Sequence, residues 1–522
     1  MMRLTAMGVA LGLACVSAAR AGDVGQNPWF RAGREAAREA AARVGGTPHA
    51  KNAILFVGDG MGIATVTAAR ILDGQRRGGS GEENLLAFER LPFTAFSKTY
   101  NTDFQVPDSA GTMTAMMSGV KTRAGVLGVD ESVARGDFAA SAKASVPSLL
   151  EQAEARGLWT GVVTTTTLTH ATPAACYAHT PERDWEVDAK LPEAARAAGF
   201  RDIARQFVEF AHGDGIEVAL GGGRAFFLPA AASDPEYPQQ KGARADGRDL
   251  VAEWRKRNPN GAFVFSRGQL LALDAAETPR VLGLFEPGHM KWELDRASDA
   301  AGEPSLAEMT AKALDLLERA PRGFFLMVEG GRIDHGHHAG NAQRALTDAI
   351  ELANAVRVAQ QRTKQGETLI VVTADHSHTL TISGYPKRGN PILGLVVGSA
   401  GEERPGPEPV KDLSGRPYTT LGYANGPGYA GASELQPEGA KRFPHVGMKS
   451  AAGITSGRPD LGRVDTTAPD HLQEAAVPLP SETHAGEDVP VYAGGPGAAL
   501  FHGVREQNYV YHALAAALRL GP

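Results

Sequence analysis

Residues 328–338, Val-Glu-Gly-Gly-Arg-Ile-Asp-His-Gly-His-His, constrain this chain more than any other stretch. An apolar run, 324–328, leads straight into Glu329, Asp334, His335, His337 and His338. The run reads as a buried strand whose end carries the polar residues. Five side chains able to bind a hard or borderline cation, crowded together, are costly to bury unless something neutralises them. A divalent metal does so at least cost. Asp334 and His338, held close by a glycine-permitted turn, have the mixed oxygen and nitrogen character that zinc accepts, and Glu329 offers a hard carboxylate. Alone, such a segment would be a solvated loop, but similar arrangements recur along the chain.

Residues 53–57, Ala-Ile-Leu-Phe-Val, form a short buried strand that Gly58-Asp59-Gly60-Met61-Gly62 breaks, leaving Asp59 at its end. Taken singly, Asp59 is a turn aspartate. Pro107-Asp108-Ser109-Ala110-Gly111 starts a helix and puts Ser109 at its N-terminus, where free N–H groups and the dipole favour negative charge. Taken singly, Ser109 is a helix cap. A β-branched run, 161–167, ends at His170-Ala171-Thr172-Pro173, with Arg183-Asp184-Trp185 beyond. Residues 217–220 give a further strand, 229–291 read as looser and polar, and 306–319 and 341–362 read as helices. Residues 368–372 form another strand, ending at Asp375-His376-Ser377-His378. Strands separated by helices predict an α/β fold, a large, mostly parallel central sheet with helices on both faces. Sites in such sheets form beyond the carboxyl ends of the strands. Asp59, Thr172, Glu329 and Asp375-His376 are therefore expected to converge on one edge.

With 522 residues the chain admits several domains or one large one. We read a single catalytic domain over 22–522, with an N-terminal helical arm at about 27–46 and a Pro/Gly-rich surface insertion at about 400–475. Residues 1–21 combine Arg3, an apolar stretch and Ala19-Arg20-Ala21, the pattern of a secretory signal peptide. Its removal takes Arg3 and Arg20 away, moving the net charge from -6 to -8, and leaves Cys176 as the one cysteine. No internal disulfide is then available, and Cys176 is expected to be a packing residue. The charge carries no nucleic-acid signature and no other apolar run reaches membrane-spanning length. The expected product is exported, periplasmic or secreted, with neither membrane nor nucleic acid as partner.

Six blocks then stand out in order: Asp59-Gly-Met-Gly, Pro107-Asp-Ser-Ala, His170-Ala-Thr-Pro, Glu329-Gly-Gly-Arg-Ile-Asp-His-Gly-His-His, Thr373-Ala-Asp-His-Ser-His and Thr483-His-Ala-Gly-Glu-Asp. In order and context they resemble alkaline phosphatases, from about residue 50 to about 515. The resemblance implies that Ser109 is a nucleophile that becomes phosphorylated and that Arg183 clamps phosphate. It implies a first zinc on Asp334, His338 and His484, a second on Asp59, Asp375 and His376, and a magnesium on Asp59, Thr172 and Glu329. The histidines fall in the zinc sets and the magnesium set is all oxygen, as ligand hardness requires. Three divalent ions bring +6 against -4 from Asp59, Glu329, Asp334 and Asp375, leaving +2 before Arg183 is added, which suits a phosphate monoester dianion. Arginine also offers a planar fork to two phosphate oxygens.

His170, His335 and His337 resemble residues that stand behind the ligands in animal-type enzymes. Glu236, Glu286 and Glu303 with the Phe285 carbonyl resemble the peripheral calcium site of those enzymes. The resemblance also implies a crown-like insertion and a homodimer. The expected activity is metal-dependent hydrolysis of small-molecule phosphate monoesters, rising into alkaline pH and passing through phosphoserine. The identity of the alcohol stays open, because the contacts gather on the phosphoryl group. One rival is a phosphodiesterase of the same superfamily. A sulfatase needs Pro and Arg after its nucleophile, which Ser109-Ala110-Gly111 lacks. The other rival is a non-catalytic exported phosphate- or metal-binding protein, and Ser109 at a helix start speaks against it.

Overall fold

The computed structural model describes residues 24–46, 48–398, 406–445 and 457–520. The signal-peptide stretch, 1–21, and parts of 400–475 lie outside the described residues. The strands, in chain order, are β1 (Asn52–Gly58), β2 (Phe93–Lys98), β3 (Trp159–Thr167), β4 (Val218–Gly222), β5 (Ala262–Val264), β6 (Val281–Leu284), β7 (Phe324–Gly330) and β8 (Thr368–Ala374). There follow β9 (Ser377–His378), β10 (Leu380–Ile382), β11 (Leu421–Gly426), β12 (Ala475–Pro478), β13 (His484–Ala485), β14 (Val489–Gly494) and β15 (Gly503–Glu506).

Ten of them form one sheet in the order β15-β2-β14-β8-β1-β7-β3-β4-β6-β5. Every neighbouring pair is parallel except those of β14, which runs against both β8 and β2. The central strands β1, β7 and β8 are buried along their whole length, which is why they read as unbroken apolar runs. Alternation divides their side chains: Leu55, Val57, Phe325, Met327 and Val371 face one core, and Ile54, Phe56, Leu326, Val328 and Val372 the other. Helices Leu306–Leu317 and Ala342–Arg362 close the second core. Ser305 and Glu308 cap the first of these reciprocally, and Asn341 caps the other by accepting from the Arg344 N–H.

On the opposite face lie helices Pro28–Arg43, Ser109–Ser118 and Tyr509–Leu518. The N-terminal helix packs on its own chain, with the Phe30 ring 5.7 Å from Tyr511 and 4.7 Å from His512. The expectation of loose text over 229–291 is corrected. Helices Leu250–Arg257 and Arg267–Ala272 alternate there with β5 and β6, which extend the sheet to its edge. Strands of three and four residues are too short to show a period. β10, β11 and β12 make a separate three-stranded sheet, and β13 pairs with β9, setting His484 opposite His378.

Candidate metal centre

Four adjacent strands, β8, β1, β7 and β3, run in one direction and deliver their carboxyl ends to one edge. Asp375 and His376 follow β8, Asp59 follows β1, Glu329 is the last residue but one of β7, and after β3 His170 caps a short helix, Ala171–Ala174, that carries Thr172. Three donor groups result, each with its ligand-capable atoms within 4.8 Å of one another: Asp334, His338, His378 and His484; Asp59, Asp375 and His376; Asp59, His170 and Glu329. The two expected zinc sets each fall within one group, joined in the first by His378, while the third group pairs Asp59 and Glu329 with His170 and does not include Thr172.

The donors fit divalent ions. Both Asp59 oxygens, Asp375 Oδ2, Glu329 Oε1, Thr172 Oγ1 and His376 Nδ1 are buried without a hydrogen-bond partner. Burial together with neighbouring carboxylates pushes Asp59 well above the usual carboxylate range, and burial lifts Asp375 as well and Glu329 to about 7. Such groups call for a cation. In the first set, His338 Nδ1 donates to the Glu482 carbonyl at 2.6 Å and His484 Nδ1 to the Pro107 carbonyl at 2.7 Å. A carbonyl only accepts, so each Nδ1 keeps its proton and Nε2 is the atom each ring would offer to a metal, the two lying 3.1 Å apart. Asp334 Oδ1 is 3.4 Å from either. Two nitrogens and an oxygen, with the outer ring atoms tied to backbone, are the makings of a zinc site.

Local structure explains the placement. Helix Arg332–His338 sets Asp334 and His338 one turn apart on the same face. Gly60, at φ +68°, lets its N–H reach Asp375 Oδ1 at 2.9 Å, and a Cβ there would stand 2.3 Å from His378. His376 N–H donates to the same oxygen, which leaves Oδ2 for a ligand.

The sequence reading quoted His378 at the end of a strand but gave it no role. Its Nε2 donates to Asp334 Oδ1 at 2.7 Å and its Nδ1 to Glu482 Oε2 at 2.5 Å. Burial opposes its charge, but the two carboxylates outweigh it and raise its pKa to about 10. His378 is thus an imidazolium that orients Asp334. Burial likewise opposes charge on Asp334, yet His338, His378 and His484 hold its carboxyl well below the usual range. The one signal in the sequence was a second histidine two places after His376.

At the start of helix Ser109–Ser118 the capping duty falls to Asp108, not Ser109. Asp108 Oδ1 accepts from Gly111 N–H at 3.1 Å, and Oδ2 accepts from Gly125 N–H at 3.0 Å and Arg183 Nη1 at 3.1 Å. Ser109 is left as the first helical residue, 2% exposed, with Oγ 3.1 Å from His376 Nε2. Arg183 Nη2 donates to His170 Nε2 at 3.1 Å, so the His170 proton sits on Nδ1, which is buried without a partner. Burial opposes the Arg183 charge, but Asp108 more than compensates.

The other histidines form walls. His335 Nδ1 accepts from Arg332 Nη1 at 2.7 Å, and its ring lies 4.4 Å from His289 and 5.6 Å from His170. His289, absent from the sequence reading, accepts from the Thr167 N–H. His337 bonds Thr65 and Tyr423 and stacks on His378 at 4.7 Å, supporting that ring rather than joining a donor set.

A fourth donor group unites Glu286 and Glu303 with Asp299, which the sequence reading had not named. Burial raises Glu286 and lifts Glu303 to about 8. Lys291 Nζ lies 2.6 Å from Glu286. Glu236 stands apart, accepting from Arg224 Nη2 at 2.9 Å and the Ala301 N–H at 3.1 Å.

Comparison with known proteins agrees with this geometry. The alkaline phosphatase family profile matches residues 50–520. The tissue-nonspecific alkaline phosphatase of Gallus gallus is 47% identical over 479 residues, 91% of this chain and 85% of that one. The alkaline phosphatase of Gadus morhua is 44% identical over 477 residues, 90% and 92% of the two chains. Among solved structures, Thermus thermophilus alkaline phosphatase aligns with a TM-score of 0.63 at 25% identity, covering 91% of this chain and 92% of its own. The enzyme of the Antarctic bacterium TAB5, at 20% identity and a TM-score of 0.58, covers 91% and 100% and shares the fold. With a family match over most of its length and its nearer similarity to animal enzymes, the chain belongs to the alkaline phosphatase family, on the animal-type side, and is a phosphate monoester hydrolase.

Proposed function

We propose that the protein acts outside the cytoplasm as a homodimer and releases inorganic phosphate from monoesters at alkaline pH through a phosphorylated Ser109. The observation that carries this reading is Ser109 itself, freed from capping by Asp108 and held against His376, a member of one donor set. Two zinc ions, on Asp334, His338 and His484 and on Asp59, Asp375 and His376, and a magnesium on Asp59, Thr172 and Glu329 would supply Lewis-acid stabilisation of the attacking and leaving oxygens.

Ser109 Oγ attacks phosphorus while Arg183, anchored through Nη1 on Asp108 and through Nη2 on His170, turns its remaining N–H groups to the phosphoryl oxygens. Ser109 belongs to the His376 side, so in-line displacement sends the leaving oxygen toward Asp334, His338 and His484. Water then enters along the vacated line and the ester to Ser109 breaks, returning the hydroxyl. His170 steadies Arg183 throughout, and Asp334 is steadied by His378. A peripheral calcium on Glu286, Glu303 and the Phe285 carbonyl, with Asp299, belongs to the same reading; Glu236 would join only by releasing Arg224.

The test is Ser109→Ala. Hydrolysis of p-nitrophenyl phosphate should fall roughly a thousandfold or more, and acid-quenched wild type should carry phosphate on Ser109 by peptide mass spectrometry. Substantial turnover by the variant would sink the covalent route.

A further inference from the structure

The loop leading into Ser109 holds two large apolar side chains out in water: Phe104 keeps 57% of its accessible surface and Val106 44%. This exposure is not fraying, because the loop is pinned at several points. The buried Asn101 donates its N–H to the Phe104 carbonyl at 3.0 Å and accepts the Asp108 N–H on Oδ1 at 2.9 Å. Thr102 N–H reaches the Thr122 carbonyl at 3.0 Å, and Asp103 Oδ1 accepts from Ala124 N–H at 2.9 Å.

The loop lies beside the first donor set. The Pro107 carbonyl takes the His484 Nδ1–H at 2.7 Å, and a Cβ built on Gly486 would stand 3.4 Å from Val106 Cγ2. Ser109 sits with His376, so the departing alcohol of an in-line displacement leaves on the His484 side, toward this loop. Phe104, between the exposed, polar Asp103 and Gln105, and Val106 after them offer far less than the roughly 800 Å² per partner of a stable protein interface. They do suit a single aromatic ring, whose flat apolar face gains most from such contact.

We propose that Phe104 and Val106 form a specificity shelf that binds the alcohol portion of aromatic phosphate monoesters. The enzyme then favours an ester carrying an aryl group over one whose alcohol is a small polyol. This rests on the monoester-hydrolase mechanism above and adds a substrate class to it. The phosphoryl contacts are common to all monoesters, so discrimination resides in the alcohol's contact with the shelf.

The test measures kcat/KM for 2-naphthyl phosphate and glycerol 2-phosphate in the metal-loaded wild type, the double variant Phe104→Ala with Val106→Ala, and Phe104→Trp. The expected result is a loss of about tenfold for the naphthyl ester in the double variant, with the glycerol ester within about twofold and the naphthyl preference kept in Phe104→Trp. An unchanged ratio between the two esters, whether both fall or neither does, overturns the shelf. If sedimentation shows the double variant losing a dimer that the wild type forms, with the ratio still unchanged, the residues belong to a subunit contact and the shelf is again overturned. A wild type that cleaves neither ester refutes the monoesterase mechanism and the shelf with it. An active wild type with an unchanged ratio refutes the shelf alone.

Discussion

Arg183 joins two parts of the site with one planar group, reaching Asp108 through Nη1 and His170 through Nη2. An ammonium cannot span both partners and still present two parallel donors to phosphate. Arg183→Lys is therefore expected to lower kcat/KM on aryl phosphate by about 10- to 100-fold while leaving far-UV circular dichroism unchanged. A variant within threefold of wild type would remove Arg183 from the phosphate clamp. At this scale the sequence was most legible where a side chain's chemistry is rare. Asp334, His338, Asp375 and His376 could be picked out because buried carboxylates and imidazoles need a partner. His378 and His289 could not, since their roles depend on what faces them: Glu482 lies 104 positions from His378, and the Thr167 N–H lies 122 from His289. The division of labour between Asp108 and Ser109 was also illegible, because either residue caps a helix equally well.

Among the elements, strand β3 and the helix Leu149–Ala155 before it carry a pH-dependent contact away from the metal centre. Glu154 accepts from Thr160 Oγ1 at 2.5 Å, while its Oε2 is buried without a partner. Burial pushes this carboxyl up to about 7 from an ordinary 4.5. The folded pKa lies above the unfolded one, so the contribution is fully present below about 4.5 and lost as pH rises through about 7. Glu154→Gln, which mimics the neutral form and keeps an acceptor for Thr160, should match wild type at pH 4.5. At pH 8.5 it should exceed wild type by on the order of 2 kcal/mol, read by urea unfolding of chelated protein. Equal stabilities at both pH values would contradict this. Element type was readable wherever burial on both faces produced long apolar runs, as in β1, β7 and β8. It was not readable for β5 and β6, whose three and four residues become strands only by pairing with the sheet already present.

Taken as a whole, the molecule gathers Asp59, Glu329 and Asp375 at one buried edge with much of their polar surface unpartnered. Removing divalent ions should leave these carboxylates repelling one another. Chelation is expected to abolish hydrolysis and lower Tm by about 5–10 °C, with zinc plus magnesium restoring both. Activity that survives demonstrated metal removal would overturn the metal centre. No helix among the described residues is long and apolar enough to cross a membrane, in line with the hydropathy of the chain. The sequence by itself determined the parallel α/β architecture and the residue types of the donor sets. Both follow from local rules, the period of burial along a strand and the cost of burying charge, that act wherever such residues occur. Only the tertiary structure decided which histidines gather around Asp334, that Asp299 joins the outlying acid cluster, and that the segment carrying Phe104 and Val106 leads to the Pro107 carbonyl that holds His484. Those outcomes depend on the order and register of β8, β1, β7 and β3 and on the pairing of β9 with β13. Hydrogen bonds between segments far apart in the chain set them, and no local window of sequence records them.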